Sequence, residues 1–174
     1  MTRRLILMRH GKAEKEATSG KDFDRPLTSR GERDVPAMAR WLAANDYLPQ
    51  FIVSSPAARA KQTALLAARE LRYPEADIEW EAGIYNASQR ALLAALAKCA
   101  PGEMPVMLVG HNPGMEGLAF YLSAGAGLSE EDDGMPTSAV VILELPDSWS
   151  KLKRGSGTVI AHMRPRWLKD LQKE

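Results

Sequence analysis

Leu5-Ile6-Leu7-Met8-Arg9-His10-Gly11-Lys12 is an apolar run that passes without a polar spacer into Arg-His-Gly. A short apolar run halted by glycine reads as a central strand of an open α/β sheet, and ligands of such sheets bind in the crevice beyond the strands' carboxyl ends. His10 therefore stands at that crevice. Arg9 puts a permanent cation beside it, and Gly11 has no Cβ to hold a ligand's oxygens away from the backbone. A single histidine at a strand end can equally cap a carbonyl, so the rest of the chain has to decide between the two.

Two further stretches repeat the pattern. Phe51-Ile52-Val53-Ser54 reads as a second buried strand ending at Ser55-Pro56, and Ala57 to Leu71, rich in Ala, Leu, Arg and Gln, predicts a helix with Pro56 in its first turn. Arg59 falls in that turn, where its guanidinium and the helix's free N–H groups can serve one anion. Pro105-Val106-Met107-Leu108-Val109-Gly110 is a third strand and runs into His111-Asn112-Pro113-Gly114. In a parallel sheet these strand ends share one edge, so two imidazoles and two guanidiniums converge there. The cluster is cationic and has no cysteine or obvious carboxylate ligand beside it. It suits a phosphoryl dianion better than a metal, because two histidines alone make a poor zinc site.

The remaining segments fill in an α/β pattern. Ala13 to Arg25 is a polar loop over the first strand's end, able to form one wall of a site. Ser29 and Glu32 form a capping box for a helix from about Arg30 to Asn45, in which Pro36 predicts a kink or a start delayed to about Val35. Asp77 to Trp80 reads as an edge strand, and Ser88 caps a helix bearing Leu92, Leu93 and Leu96 that Pro101-Gly102 stops. Met115, Leu118, Ala119 and Leu122 mark another helix, and Gly125 to Pro136, with Glu130, Glu131, Asp132 and Asp133, reads as a solvated acidic loop. Ala139 to Leu145 and Thr158 to Met163 read as an antiparallel pair, with a short polar helix from Arg166.

Composition sets the outer bounds. A chain of 174 residues with 45% apolar content is expected to be one domain, residues 1–174. A net charge of +1 gives no electrostatic reason for nucleic acid or an anionic membrane as partner, so any cationic site is local. Cys99 has no second cysteine to pair with; it reads as packing at a helix end and suits a reducing, cytoplasmic setting. The apolar run behind Met1-Thr2-Arg3-Arg4 is too short for a signal peptide or a membrane span. A monomer is expected.

Four linked motifs carry a resemblance. Leu7-Met8-Arg9-His10-Gly11, Arg25-Pro26-Leu27-Thr28 with Gly31, Ser54-Ser55-Pro56-Ala57-Ala58-Arg59-Ala60-Lys61-Gln62-Thr63, and Gly110-His111-Asn112-Pro113 resemble the histidine phosphatase superfamily, most closely its short SixA-type branch of phosphohistidine phosphatases. The likeness spans about residues 4 to 145 in the family's order. It implies a phosphoglycerate mutase-like fold, a three-layer α/β sandwich whose mostly parallel central sheet is flanked by helices. It also implies a hydrolase requiring neither metal nor cofactor. In it His10 would be the nucleophile, forming a transient phosphohistidine that water hydrolyses, while Arg9, Arg59 and His111 bind and stabilise the phosphoryl oxygens. The physics of the residues agrees, since neighbouring cations depress an imidazole's pKa and keep the His10 lone pair free. Gly11 and Asn86 are further candidates for contact with substrate. Ser54, Ser55 and Thr63 either donate to the same phosphate or serve the strand end and helix packing.

The sequence departs from the wider superfamily in one place. Many of its phosphomonoesterases carry a Glu or Asp general acid a few residues after the third strand, where Ile84-Tyr85-Asn86 stands here. Asn86 has no labile proton, and Glu81 is nearby in sequence but out of position. An alkoxide leaving group needs that proton, whereas imidazole leaving from phosphohistidine can take one from solvent. The expected partner is thus a phosphorylated protein carrying phosphohistidine, and the lack of a long insertion leaves the site open enough for one. The alternatives are a phosphatase of small phosphomonoesters that uses Glu81, or a non-catalytic phosphate-binding module. His10 argues against the latter, because binding alone could use Lys or Arg.

Overall fold

The computed structural model describes residues 3–100, 102, 104–128, 134–146 and 148–174. The acidic run Glu130 to Asp133 and the helix-stopping Pro101 lie outside them. Strands β1 (Arg3–Arg9), β2 (Phe51–Ser54), β3 (Glu79–Trp80), β4 (Val106–Gly110), β5 (Val140–Leu145) and β6 (Thr158–Met163) form one sheet in the order β3-β2-β4-β1-β5-β6. The first four are mutually parallel; β5 and β6 complete the sheet antiparallel, with a register irregularity between Ile142 and Leu143.

The apolar runs are continuous because both faces of the sheet are covered. Successive residues of a strand point to opposite faces. Accordingly Leu5 and Leu7 of β1, with Val106 and Leu108 of β4, belong to one core, packed with α3 (Gln89–Cys99) and α4 (Gly114–Ser123). Ile6 and Met8, with Met107 and Val109, belong to the other, with α1 (Ser29–Ala44), α2 (Ala58–Glu70) and Leu168 of α5 (Pro165–Leu171). Two helical layers around a sheet make the expected three-layer sandwich.

Local details correct three readings. Thr28, one residue earlier than the expected Ser29, caps α1: its hydroxyl accepts from the Gly31 N–H at 3.1 Å. The helix then runs through Pro36 with no delayed start; the missing backbone bond is tolerated on a helix that buries Val35, Met38, Ala39 and Leu42 against the sheet. Pro56 lies just ahead of the N-cap Ala57 of α2, outside the first turn. By contrast Ser88 caps α3 as its position suggests, accepting from the Ala91 N–H.

Candidate active site

Register builds the site. Arg9 is level with Gly110 across β1 and β4, and Ser54 is level with Val109 across β2 and β4. The next residues, His10, His111 and Ser55, therefore leave the sheet together at one edge. The His10 N–H donates to Gly110 O at 3.0 Å, and the Ser55 N–H to Val109 O at 3.1 Å. The two imidazoles lie 5.1 Å apart, centroid to centroid.

His10 is 6% exposed, and its Nδ1 lies 2.8 Å from Gly11 O. A carbonyl can only accept, so Nδ1 carries the proton and Nε2 keeps the lone pair. Burial, reinforced by the charges of His111, Arg9 and Arg59, pushes the His10 pKa down to about 3. The ring is thus neutral near pH 7. Gly11 is held by its own contacts: its N–H donates to Thr63 Oγ1 at 3.0 Å, and a Cβ there would come within 2.8 Å of Val35 Cγ2. The missing Cβ makes room for α1 rather than for a ligand.

His111 is buried to the same degree, and burial with the Arg59 charge lowers its pKa to about 4. Its Nε2 is 2.8 Å from Ser55 Oγ, which also accepts the Ala57 N–H at 3.2 Å. The Ser55 hydrogen is satisfied by donation to Nε2, which places the His111 proton on Nδ1, an atom with no protein partner. Arg59, 4% exposed on the first turn of α2, donates from Nη1 to Asp22 O at 2.9 Å and from Nη2 to Asp22 Oδ2 at 3.1 Å. Arg9 donates from Nη1 to Met135 O at 3.0 Å. The Nε atoms of both arginines are buried without a hydrogen-bond partner. Around a neutral imidazole lone pair, then, stand three buried N–H donors with nothing of the protein to bind. This is a cradle for an oxyanion.

The other candidates serve the scaffold. Ser54 Oγ donates to Ser55 O at 3.0 Å, and Thr63 Oγ1 donates to Arg59 O at 2.7 Å while taking the Gly11 N–H. Both hydroxyl hydrogens are committed to carbonyls: Thr63 positions Gly11 and Arg59, and Ser54 ties the end of β2 to Ser55. Asn86 is exposed, with a left-handed backbone at φ 53°, a conformation asparagine tolerates. Glu81 is committed to other partners: it accepts from the Gly83 N–H at 3.0 Å and from Lys98 Nζ at 3.1 Å, and these bonds pull its pKa down.

Two site residues escaped the reading of the sequence. Asp22, on the 3₁₀ turn Asp22–Asp24 of the loop that does wall the site, binds Arg59 as above and Arg25 Nε at 2.9 Å. Tyr85 donates its hydroxyl to Asp22 Oδ2 at 2.7 Å and sets its ring edge-on to His111 at 5.5 Å. The Tyr85 bond, followed by the Arg59 charge, keeps the Asp22 carboxyl below the usual range. Only the unusual density of acids in Asp22-Phe23-Asp24 beside Arg25-Pro26 hinted at this. Among the described residues no group of three or more His, Cys, Asp or Glu is placed to hold a metal ion, and no helix is long and apolar enough to cross a membrane.

Burying neutral histidines makes the fold acid-sensitive. The folded-state pKa values of His10 and His111 lie below the unfolded value, so between about pH 6.5 and about pH 4 the unfolded chain binds more protons. Stability therefore falls as pH drops through this window, by about 1 kcal/mol per pH unit for each histidine. Urea unfolding at pH 7 and pH 5 should show the loss, and His10→Asn should reduce it. An identical pH slope in that variant would contradict the assignment of a buried neutral ring.

Comparison with known proteins agrees with the geometry. Residues 5–89 match the model of the histidine phosphatase superfamily (branch 1). The chain is 30% identical over 173 residues to the phosphohistidine phosphatase SixA of Escherichia coli, covering 95% of this chain and 96% of that one. It is 32% identical over 165 residues to an uncharacterized chloroplastic protein of Arabidopsis thaliana, covering 90% and 73%. Among solved structures, the protein histidine phosphatase SixA complexed with tungstate superposes with a TM-score of 0.78 at 28% identity, covering 95% of this chain and 99% of that one. Sequence likeness over nearly the whole length, a shared fold and a built oxyanion cradle lead to one conclusion: this chain is a phosphatase and belongs to branch 1 of the histidine phosphatase superfamily.

Proposed function

We propose that the enzyme removes phosphate from phosphohistidine on a protein, with His10 as the nucleophile. His10 Nε2 attacks phosphorus, a new P–N bond forms, and the bond from phosphorus to the substrate imidazole breaks; that imidazole takes its proton from solvent. Arg9, Arg59 and His111 Nδ1–H carry the charge on the phosphoryl oxygens through the transition state. Because Nδ1 of His10 stays protonated on Gly11 O, the intermediate is a phosphoimidazolium. Its P–N bond is then readily broken by water, which supplies the oxygen of the released phosphate and restores the neutral ring. That a SixA relative forms a complex with tungstate, a tetrahedral oxyanion, supports a protein of this fold binding a group of phosphate's shape.

The observation that carries the substrate class is the state of the carboxylates. Glu81 is tied to Gly83 and Lys98, and Asp22 to Arg59, Arg25 and Tyr85; both pKa values are lowered, so neither holds a proton to give near pH 7. Glu116 accepts the Met135 N–H. A leaving group that needs no acid from the enzyme fits this set, and imidazole is one. Kinetics with a phosphohistidine peptide and with alkyl phosphates should differ by about 10²–10⁴-fold in kcat/KM, the range general acid catalysis supplies. Glu81→Gln should leave both rates within about twofold, its bonds lying outside the cradle. Comparable wild-type rates on the two substrates, with the alkyl activity lost in Glu81→Gln, would make Glu81 the acid and a small phosphomonoester the substrate.

A further inference from the structure

Phe23 is 37% exposed at the middle of the turn Asp22–Asp24, none of whose residues is buried. No core contact explains an aromatic side chain there. Among the described residues its ring partner is Tyr85, met edge-on at 5.1 Å and 89°. Tyr85 in turn touches the cradle on two sides, with its ring 5.5 Å from that of His111 and 6.0 Å from the Arg59 guanidinium carbon. The pair thus forms an aromatic wall running from the phosphoryl donors out to solvent.

The wall is fixed before any substrate arrives. Asp22 is the clasp: its carbonyl and carboxylate hold Arg59, its Oδ2 takes the Tyr85 hydroxyl, and its Oδ1 meets Arg25. A phosphoryl group seated among Arg9, Arg59 and His111 must direct its remaining substituent out of the pocket. On the Arg59–His111 side that exit passes Tyr85 and then Phe23. Anionic groups gain little from such a wall, and an alkyl chain gains burial without ring-to-ring geometry. A planar ring gains offset-stacked or edge-to-face contact over the faces that Phe23 leaves open.

We propose that Phe23 and Tyr85 form a specificity subsite for a planar aromatic leaving group. With phosphohistidine as substrate, the imidazole ring lies against this wall while its bond to phosphorus breaks; this last statement rests on the function proposed above. Aryl phosphates share the same ring chemistry, so the test separates the two.

The test measures kcat/KM for phosphoimidazole, phosphoramidate and p-nitrophenyl phosphate in the wild type, Phe23→Ala and Phe23→Trp. The ratio of phosphoimidazole to phosphoramidate should fall about fivefold in Phe23→Ala, the loss of one aromatic contact, and recover in Phe23→Trp. Phe23 is exposed, so its replacement does not disturb the core. Both aromatic-to-phosphoramidate ratios unchanged in Phe23→Ala overturn the subsite. If the ratio of p-nitrophenyl phosphate to phosphoramidate falls in Phe23→Ala, while the wild type cleaves p-nitrophenyl phosphate far better than phosphoimidazole, the subsite stands and the phosphohistidine reading fails.

Discussion

His10→Ala should lower kcat by at least about ten-thousandfold, since no other side chain offers an uncharged nitrogen lone pair to the same phosphorus. The fold should survive, because His10 lies one residue beyond the end of β1 and its side-chain hydrogen bond is to the adjacent Gly11. Arg9, Arg59 and His111 remain in the variant, so it should still bind inorganic phosphate or tungstate. Circular dichroism, an oxyanion titration and single-turnover kinetics together separate loss of the nucleophile from loss of the site. Appreciable turnover by the folded variant would remove His10 from the chemistry.

Arg59→Ala should cost about 10²–10³-fold in kcat, as the loss of one preorganised transition-state donor does. Two effects add. The cradle loses a buried cation, and the loop that walls the site loses the anchor that Arg59 gives Asp22 through two bonds. Arg59→Lys should recover less than about tenfold, because an ammonium cannot bridge Asp22 and an oxyanion with one planar fork. Exhaustive chelation should leave the wild-type rate unchanged, since all the proposed charge stabilisation comes from side chains. A rate for Arg59→Ala within tenfold of wild type, or its rescue by divalent metal, would show that the charge is stabilised elsewhere.

The parts of this arrangement that could be read from sequence are those fixed by periodicity and topology. Leu5 to Met8 reads as a doubly buried strand because apolar side chains on both faces leave no alternation, and the two cores on either side of β1 are the reason. Once three such runs are parallel, geometry alone brings Arg9-His10, Ser55 and His111 to one edge. What stayed open in the sequence, or escaped it, depends on side-chain direction. For Ser54 and Thr63 the sequence leaves phosphate contact and strand-end or helix packing both open; the buried hydroxyls donate to the carbonyls of Ser55, just beyond β2, and of Arg59 in α2. Glu81, nearby in sequence but expected to be out of position, closes its carboxylate on Lys98 at the end of α3. The bond from Tyr85 to Asp22 joins residues 63 positions apart across irregular backbone, where no pattern marks a partner. The exchange of Ser29 for Thr28 as cap is milder, two adjacent hydroxyl residues that a pattern cannot rank.

A covalent bond between phosphorus and His10 lies at the heart of the proposed mechanism. It is tested most directly by mixing enzyme with excess ³²P-labelled phosphohistidine peptide, quenching in alkali within the first turnover, and mapping the labelled residue. Acid-labile, base-stable phosphate should be found on His10 Nε2, formed and lost at rates that match turnover, and absent from His10→Ala. Label on His111 or any other residue, or turnover with no labelled protein at any time after mixing, would contradict it.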